Sequence, residues 1–299
     1  MISKMKALVT GASTGIGREM AIYLSELGYD LIVVARDKNK LNELKNNLKT
    51  NVIVYDCDLS VVDNCFKLYG DLVDENIDII INNAGFGVFG SYETDMLDKE
   101  LNMIDLNVKC LHILTRLFVN NKSVKRILNV SSSAGLMRGG PLMSSYYATK
   151  SYVCSYSFAL YEELRRNKSD KKISVLCPGP VDTYFNKRAN VNFNLKSLDA
   201  KYVARYAINM MFKNKLIIIP GLSVKLGIFF SRFVPIKTLL KISYNIQKRK
   251  KWRYKELIGL YVSLSSFFIN NLGCIHYLRK KLLIVKTTSI ILDVVFKSV

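Results

Sequence analysis

Short apolar runs alternate along most of the chain with longer stretches in which apolar residues recur every three or four positions. The runs are Met5–Val9, Asp30–Ala35, Asn51–Tyr55, Ile77–Ile81, Arg126–Val130, Ile173–Cys177 and Leu216–Ile219. Most are continuous Val/Ile/Leu without polar alternation, as expected of strands covered on both faces. Helical periodicity occupies Gly15–Leu27, Lys38–Lys49, Val61–Glu75, Leu97–Val119, Ser144–Asn167 and Ala200–Phe212. Repeated strand–helix alternation predicts an α/β fold of Rossmann type, a doubly wound parallel sheet of about seven strands. Ligand sites are expected at the carboxyl ends of those strands.

The pattern changes after Pro220-Gly221. Leu222–Gln247 mixes large apolar residues (Phe229, Phe230, Phe233, Leu239, Leu240) with regularly placed cations (Lys225, Arg232, Lys237, Lys241). A cluster of Lys and Arg follows at 248–253, and Leu257–Ile275 is then an uncharged run of 19 residues. The chain is therefore divided into an α/β domain, 1–250, and a basic, apolar, helical C-terminal extension, 251–299.

Charge sharpens that division. Residues 1–195 carry 24 Lys/Arg against 21 Asp/Glu, whereas residues 196–299 carry 20 against 3, so the net +20 belongs to the last third. Such an excess suits anionic lipid or a polyanion, although a compositional bias toward lysine would also produce it. The cations lack aromatic interleaving beyond Trp252 and Tyr254 and follow no nucleic-acid motif, so no nucleic-acid partner is expected. The six cysteines are scattered and only His112 and His276 accompany them, so no metal site is expected. Met1 to Lys6 is short and polar, and Ala7–Val9 follows at once; this predicts a cytoplasmic protein without a secretory leader.

The chemistry lies at the strand ends. Thr10-Gly11-Ala12-Ser13-Thr14-Gly15-Ile16-Gly17 joins the first strand to the first helix. Glycines there permit a tight turn and close approach of a pyrophosphate, which free N–H groups and the helix dipole would meet. The second strand ends in Arg36, whose fixed charge suits the 2′-phosphate of NADP(H). Asp37 beside it is the kind of residue that favours NAD(H); NADP(H) is the preferred reading and NAD(H) the alternative. Tyr146 and Lys150 are four residues apart on one helical face, where an ammonium can bias a phenol toward phenolate.

The pair has company in order along the chain: Asn83-Ala84-Gly85, Asn107, Ser131-Ser132-Ser133-Ala134-Gly135, and Pro178-Gly179-Pro180-Val181-Asp182-Thr183. Together with the glycine turn, these motifs resemble the classical short-chain dehydrogenase/reductase family over roughly residues 5 to 245. The resemblance implies an oxidoreductase that moves hydride between nicotinamide and a carbonyl or alcohol, with Tyr146 as general acid/base. It implies that Lys150 lowers the phenol's pKa and holds the nicotinamide ribose, that Asn107 supports a relay water, and that one serine orients the substrate oxygen. Alignment on Ala134-Gly135 selects Ser132, fourteen residues before Tyr146, while the commoner family interval selects Ser133; Ser132 is preferred. Asp58 and Leu59 would lie by the adenine, Asn83 to Gly85 along the cofactor, and Pro178, Gly179, Val181 and Thr183 by the carboxamide.

The string from Pro141 to Lys150 resembles members acting on apolar substrates, so the small-molecule partner is read as lipophilic. A homo-oligomer is also implied. Leu222–Gln247 is read first as a substrate lid and second as a surface resting on lipid, with peripheral or anchored attachment through the C-terminal region. Two readings of other classes stand beside the enzyme: a non-catalytic cofactor-binding scaffold, and a membrane-associated regulatory protein of the same fold.

Overall fold

The computed structural model describes residues 5–93, 95–182 and 197–248; Thr183 and the extension 251–299 lie outside the described residues. Met1–Lys251 belong to one compact unit. Seven parallel strands form one sheet: β1 (Lys6–Thr10), β2 (Asp30–Ala35), β3 (Val52–Asp56), β4 (Ile77–Asn82), β5 (Arg126–Val130), β6 (Lys172–Leu176) and β7 (Ile217–Ile218). Their spatial order is β3-β2-β1-β4-β5-β6-β7, so the winding reverses beside β1 and opens a crevice at its carboxyl end. The doubly wound sheet expected from the apolar runs is present, with boundaries within one residue for most strands. Only the last is shorter than its apolar run.

Period-two alternation sends successive side chains to opposite faces, and both faces are buried. Ala7, Val9, Leu31, Val33, Ile79, Ile81 and Leu128 pack on one side with α1 (Gly15–Glu26), α2 (Lys38–Asn46) and α7 (Ala200–Phe212). Leu8, Ile32, Val34, Ile80, Ile127 and Ile173 pack on the other with α3 (Val62–Leu72), α5 (Leu111–Asn120) and α6 (Ser144–Arg166). This is why the strands read as unbroken apolar runs.

Two departures bear on function. The stretch expected as one helix, Leu97–Val119, is α4 (Leu97–Ile104), a π-helical turn (Asp105–Cys110) and α5. One extra residue per turn re-aims Asn107 inward, where it is buried. After Gly221, held at φ 86°, the chain forms α8 (Leu222–Ser231) and a second helix over 236–248, called α9.

Candidate active site

The phosphate turn is built around Asn83. Its Nδ2 donates to the carbonyls of Thr10 (3.0 Å) and Gly11 (3.2 Å), while the Thr10 hydroxyl oxygen accepts from the N–H groups of Asn83 and Ala84, both at 3.0 Å. Gly11 and Gly15 adopt φ of 67° and 60°, a region that a Cβ disfavours. A Cβ on Gly17 would stand 2.3 Å from Asn83 Nδ2 and 2.5 Å from the Gly11 carbonyl oxygen. Gly17 therefore packs behind the turn, while Gly11, Ser13, Thr14, Gly15 and Ile16 line the cleft in front of it. Thr14 precedes α1 without capping it through its side chain, and no acid occupies the first turn. The N–H groups there are left for an external anion.

Arg36 stands at the end of β2, half-exposed, with Nη1 3.3 Å from Asp58 Oδ2. Burial would raise the Asp58 carboxyl, but the Ser60 N–H and O–H groups and the Arg36 guanidinium outweigh it and hold the pKa below the ordinary value. Asp37 is committed elsewhere. It caps α2 by accepting from the Lys40 N–H at 3.1 Å and pairs with Lys40 Nζ at 3.0 Å. Arg36, Asp58 and Leu59 line the same end of the cleft.

The reacting groups converge at the ends of β4 and β5. Tyr146 is buried and hydrogen-bonded to Ser132. Burial dominates, so the phenol is pushed up to about 12 although Ser132 acts to lower it. Lys150, 5% exposed, donates from Nζ to the Val130 carbonyl at 3.0 Å, and burial lowers its pKa to about 8. The group acting to lower the phenol is thus Ser132, whereas Lys150 is turned to a strand carbonyl. Ser133 instead opens a 3-10 turn and donates its N–H to the Pro178 carbonyl at 2.8 Å. Ser131 donates to the Lys150 carbonyl at 2.8 Å.

Asn107 sits behind this group. Its Oδ1 accepts from Phe86 N–H (3.1 Å), and its Nδ2 donates to the Phe86 carbonyl (2.8 Å) and to Thr149 Oγ1 (3.2 Å). Both amide hydrogens are used, so the side chain braces the Gly85-Phe86 wall and has no donor left for a water. A Cβ on Gly85 would meet Asn107 Oδ1 at 2.8 Å, which explains the glycine.

A cleft of about 1100 Å3 runs from Arg36 past the glycine turn to Tyr146. Asn83, Ala84, Gly85, Ser132, Tyr146 and Lys150 line it, as do Pro178, Gly179 and Val181. Asn107 and Gly17 stand behind its wall. The far end is closed by Met137 and Met143, by Val224 and Ile228 of α8, and by Leu239 and Ile242 of α9. Three residues there had no motif to reveal them. Gln247 Nε2 donates to Tyr147 Oη at 3.3 Å and Ser243 also bonds that phenol, which fastens α9 beside Tyr146. Arg138 Nη2 donates to the carbonyls of Ser231 (2.8 Å) and Val234, fixing the end of α8. Among the described residues, no group of His, Cys, Asp and Glu could hold a metal.

Comparison with known proteins agrees with this geometry. A 3-oxoacyl-[acyl-carrier-protein] reductase of Rickettsia typhi is 31% identical over 189 residues, 62% of this chain and 76% of that protein. An uncharacterized oxidoreductase of Staphylococcus epidermidis is 30% identical over 208 residues, 68% of this chain and 89% of its own length. Among solved structures, a short-chain dehydrogenase from Sphingobium yanoikuyae in complex with NADPH superposes with a TM-score of 0.67 at 26% identity. It covers 87% of this chain and 94% of its own. The sequence model described as short chain dehydrogenase matches residues 5–193, more than half of the chain. This chain belongs to the short-chain dehydrogenase family, oxidoreductases that act on CH–OH and C=O groups with NAD(P).

Proposed function

We propose that the protein is an NADP(H)-dependent reductase of lipophilic carbonyl compounds, in which Tyr146, Ser132 and Lys150 act directly and Asn107 positions them. The observation that carries the reading is the Ser132–Tyr146 hydrogen bond, made at the ends of the central strands where Lys150 is also buried. A nicotinamide cofactor supplies a transferable hydride when bound. The residues fit such a group: glycines at positive φ precede an uncapped helix start free of acids, which suits a pyrophosphate. Ser13, Thr14, Gly15 and Ile16 would hold that end, and Asn83, Ala84, Gly85, Pro178, Gly179 and Val181 the nicotinamide end.

The chain's own groups then divide the work. A carbonyl oxygen placed between the Ser132 hydroxyl and the Tyr146 phenol would accept from both, and charge developing on it would be met by donors already in place beside the buried phenol. With its pKa near 12, the phenol holds its proton at neutral pH and is suited to donate it to the nascent alkoxide. Lys150, near 8, remains an ammonium at neutral pH and would hold the cofactor's ribose at the nicotinamide end. This direction of proton transfer favours carbonyl reduction.

NADP(H) is preferred because Asp37 is spent on capping α2, which leaves Arg36 as the nearest group free to swing to a 2′-phosphate. Its exposed pair with Asp58 costs little to break. A lipophilic substrate is supported by the apolar far wall and by the 3-oxoacyl-[acyl-carrier-protein] reductase among its relatives. The test is oxidation of NADPH, followed by its absorbance, against a panel of ketones and 3-oxoacyl thioesters. Turnover with the longer apolar members supports the reading. Tight NADPH binding without turnover of any carbonyl would instead favour a cofactor-binding scaffold.

A further inference from the structure

The segment that closes the cleft has an outer face that the reductase reading does not use. On α8, Val224, Ile228 and Ser231 recur at helical spacing and point inward. Leu222, Leu226, Phe229, Phe230 and Phe233 recur on the opposite side and are 72%, 47%, 53%, 60% and 72% exposed. Phe229 packs edge-on against both Phe230 (centroids 5.4 Å apart) and Phe233 (5.3 Å), so the three rings form one preorganised cluster. Arg138 fixes the carbonyls at the end of this helix, which keeps Phe233 in place. Apolar surface so concentrated marks a contact site on a soluble fold.

The charges decide what it contacts. Lys225 and Arg232, seven residues apart, flank the rings on one side of α8, and Lys237 and Lys241 follow on α9. Lys225 Nζ leans on Tyr206 Oη at 3.3 Å, a neutral partner. Residues 200–255 contain no Asp or Glu. Two copies meeting through this face would be related by symmetry and would bring cation against cation with no local acid to pair them. An interfacial membrane site answers both features, with rings at the acyl boundary and cations among anionic headgroups. No helix among the described residues is long and apolar enough to cross a bilayer, so contact here would be lateral.

We propose that the outer face of α8, with the first cations of α9, is a docking surface for an anionic lipid membrane. The inference stands apart from the chemistry assigned above, since none of the three phenylalanines lines the cleft. Docking would set the two sides of one helix against lipid and cleft respectively.

The test is co-sedimentation of the full chain with phosphatidylcholine vesicles, with and without phosphatidylserine. The proposal predicts binding to the phosphatidylserine vesicles that weakens as salt rises. Phe229→Ser/Phe230→Ser/Phe233→Ser should lower the partition coefficient at least about tenfold. Lys225→Gln/Arg232→Gln should lower it about fivefold for each cation lost. Unchanged helical circular dichroism would show that the variants fold; if the triple variant does not, the charge pair decides alone. The proposal is overturned if the parent ignores phosphatidylserine vesicles, or if the folded variants partition like the parent. It is equally overturned if the triple variant turns an oligomer into monomers without lipid, which would make the face a contact between copies.

Discussion

Lys150→Met should make the protein more stable while destroying its activity, and the gain should vanish at high pH. The lysine is buried, its ammonium makes one hydrogen bond that the structure records, to Val130, and burial lowers its pKa from 10.5 to about 8. At ~1.4 kcal/mol per pH unit, keeping that proton in the folded state costs about 3 kcal/mol. The sign follows from proton binding. Below pH 8 both states are protonated and the cost is fully present; between 8 and 10.5 the unfolded state holds the extra proton, so stability rises with pH. Methionine matches the stem's length without the charge and loses one charge-assisted bond worth about 1.5–3 kcal/mol. The net at pH 7 is a stabilisation of about 1 kcal/mol. The assay is urea unfolding of parent and variant at pH 7, 8, 9 and 10, where groups that do not interact with Lys150 cancel in the difference; Cys154 and Cys177, which do, are replaced by Ser in both proteins. The variant's advantage should shrink and reverse by about 2–3 kcal/mol across that range. A gap independent of pH would refute the reasoning, because the ammonium would then be well solvated.

Other consequences follow from the same geometry. Arg36→Asp should raise the KM for NADPH by about tenfold or more while leaving or improving that for NADH, because a charge-assisted contact is worth about 1.5–3 kcal/mol; steady-state kinetics with both cofactors decides it. Asn107→Ala should remove the two hydrogen bonds to the part-buried Phe86 N–H and C=O and cost about 1–3 kcal/mol in unfolding free energy, with kcat falling as the Gly85-Phe86 wall loosens. Gly17→Ala should abolish cofactor binding by calorimetry, since its Cβ has no room between Asn83 and Gly11.

Much of the frame was legible in the sequence because doubly covered strands are mostly apolar, with Asn129 of β5 and Ser174 of β6 among the buried exceptions. Runs such as Asp30–Ala35 and Arg126–Val130 consequently match the observed β2 and β5. The glycine turn was legible because the positive φ of Gly11 and Gly15 favours glycine. The π-helical turn at Asp105–Cys110 was hidden, since one inserted residue leaves the apolar periodicity of Leu97–Val119 looking like a single helix. The role of Asp37 could have been read from its place immediately before the helical stretch at Lys38, where an Asp caps the N–H three positions on. No local pattern reports the latch of Gln247 and Ser243 on Tyr147, because it joins residues about a hundred positions apart. Nor could spacing decide between Ser132 and Ser133: a loop can absorb one residue, and the structure places Ser132 against the phenol. That the lysine faces a strand carbonyl likewise depends on packing that helical spacing does not describe.

The central claim is that the Tyr146 phenol donates the proton that completes carbonyl reduction. Tyr146→Phe keeps the ring and its packing and removes only the hydroxyl. Single-turnover oxidation of NADPH with a reducible ketone, measured beside NADPH binding by fluorescence titration, tests it most directly. The account predicts binding within about twofold of the parent and a rate lower by at least about a hundredfold, the loss expected when a general acid is removed. A Tyr146→Phe protein that binds NADPH and reduces the ketone at the parent's rate would contradict it.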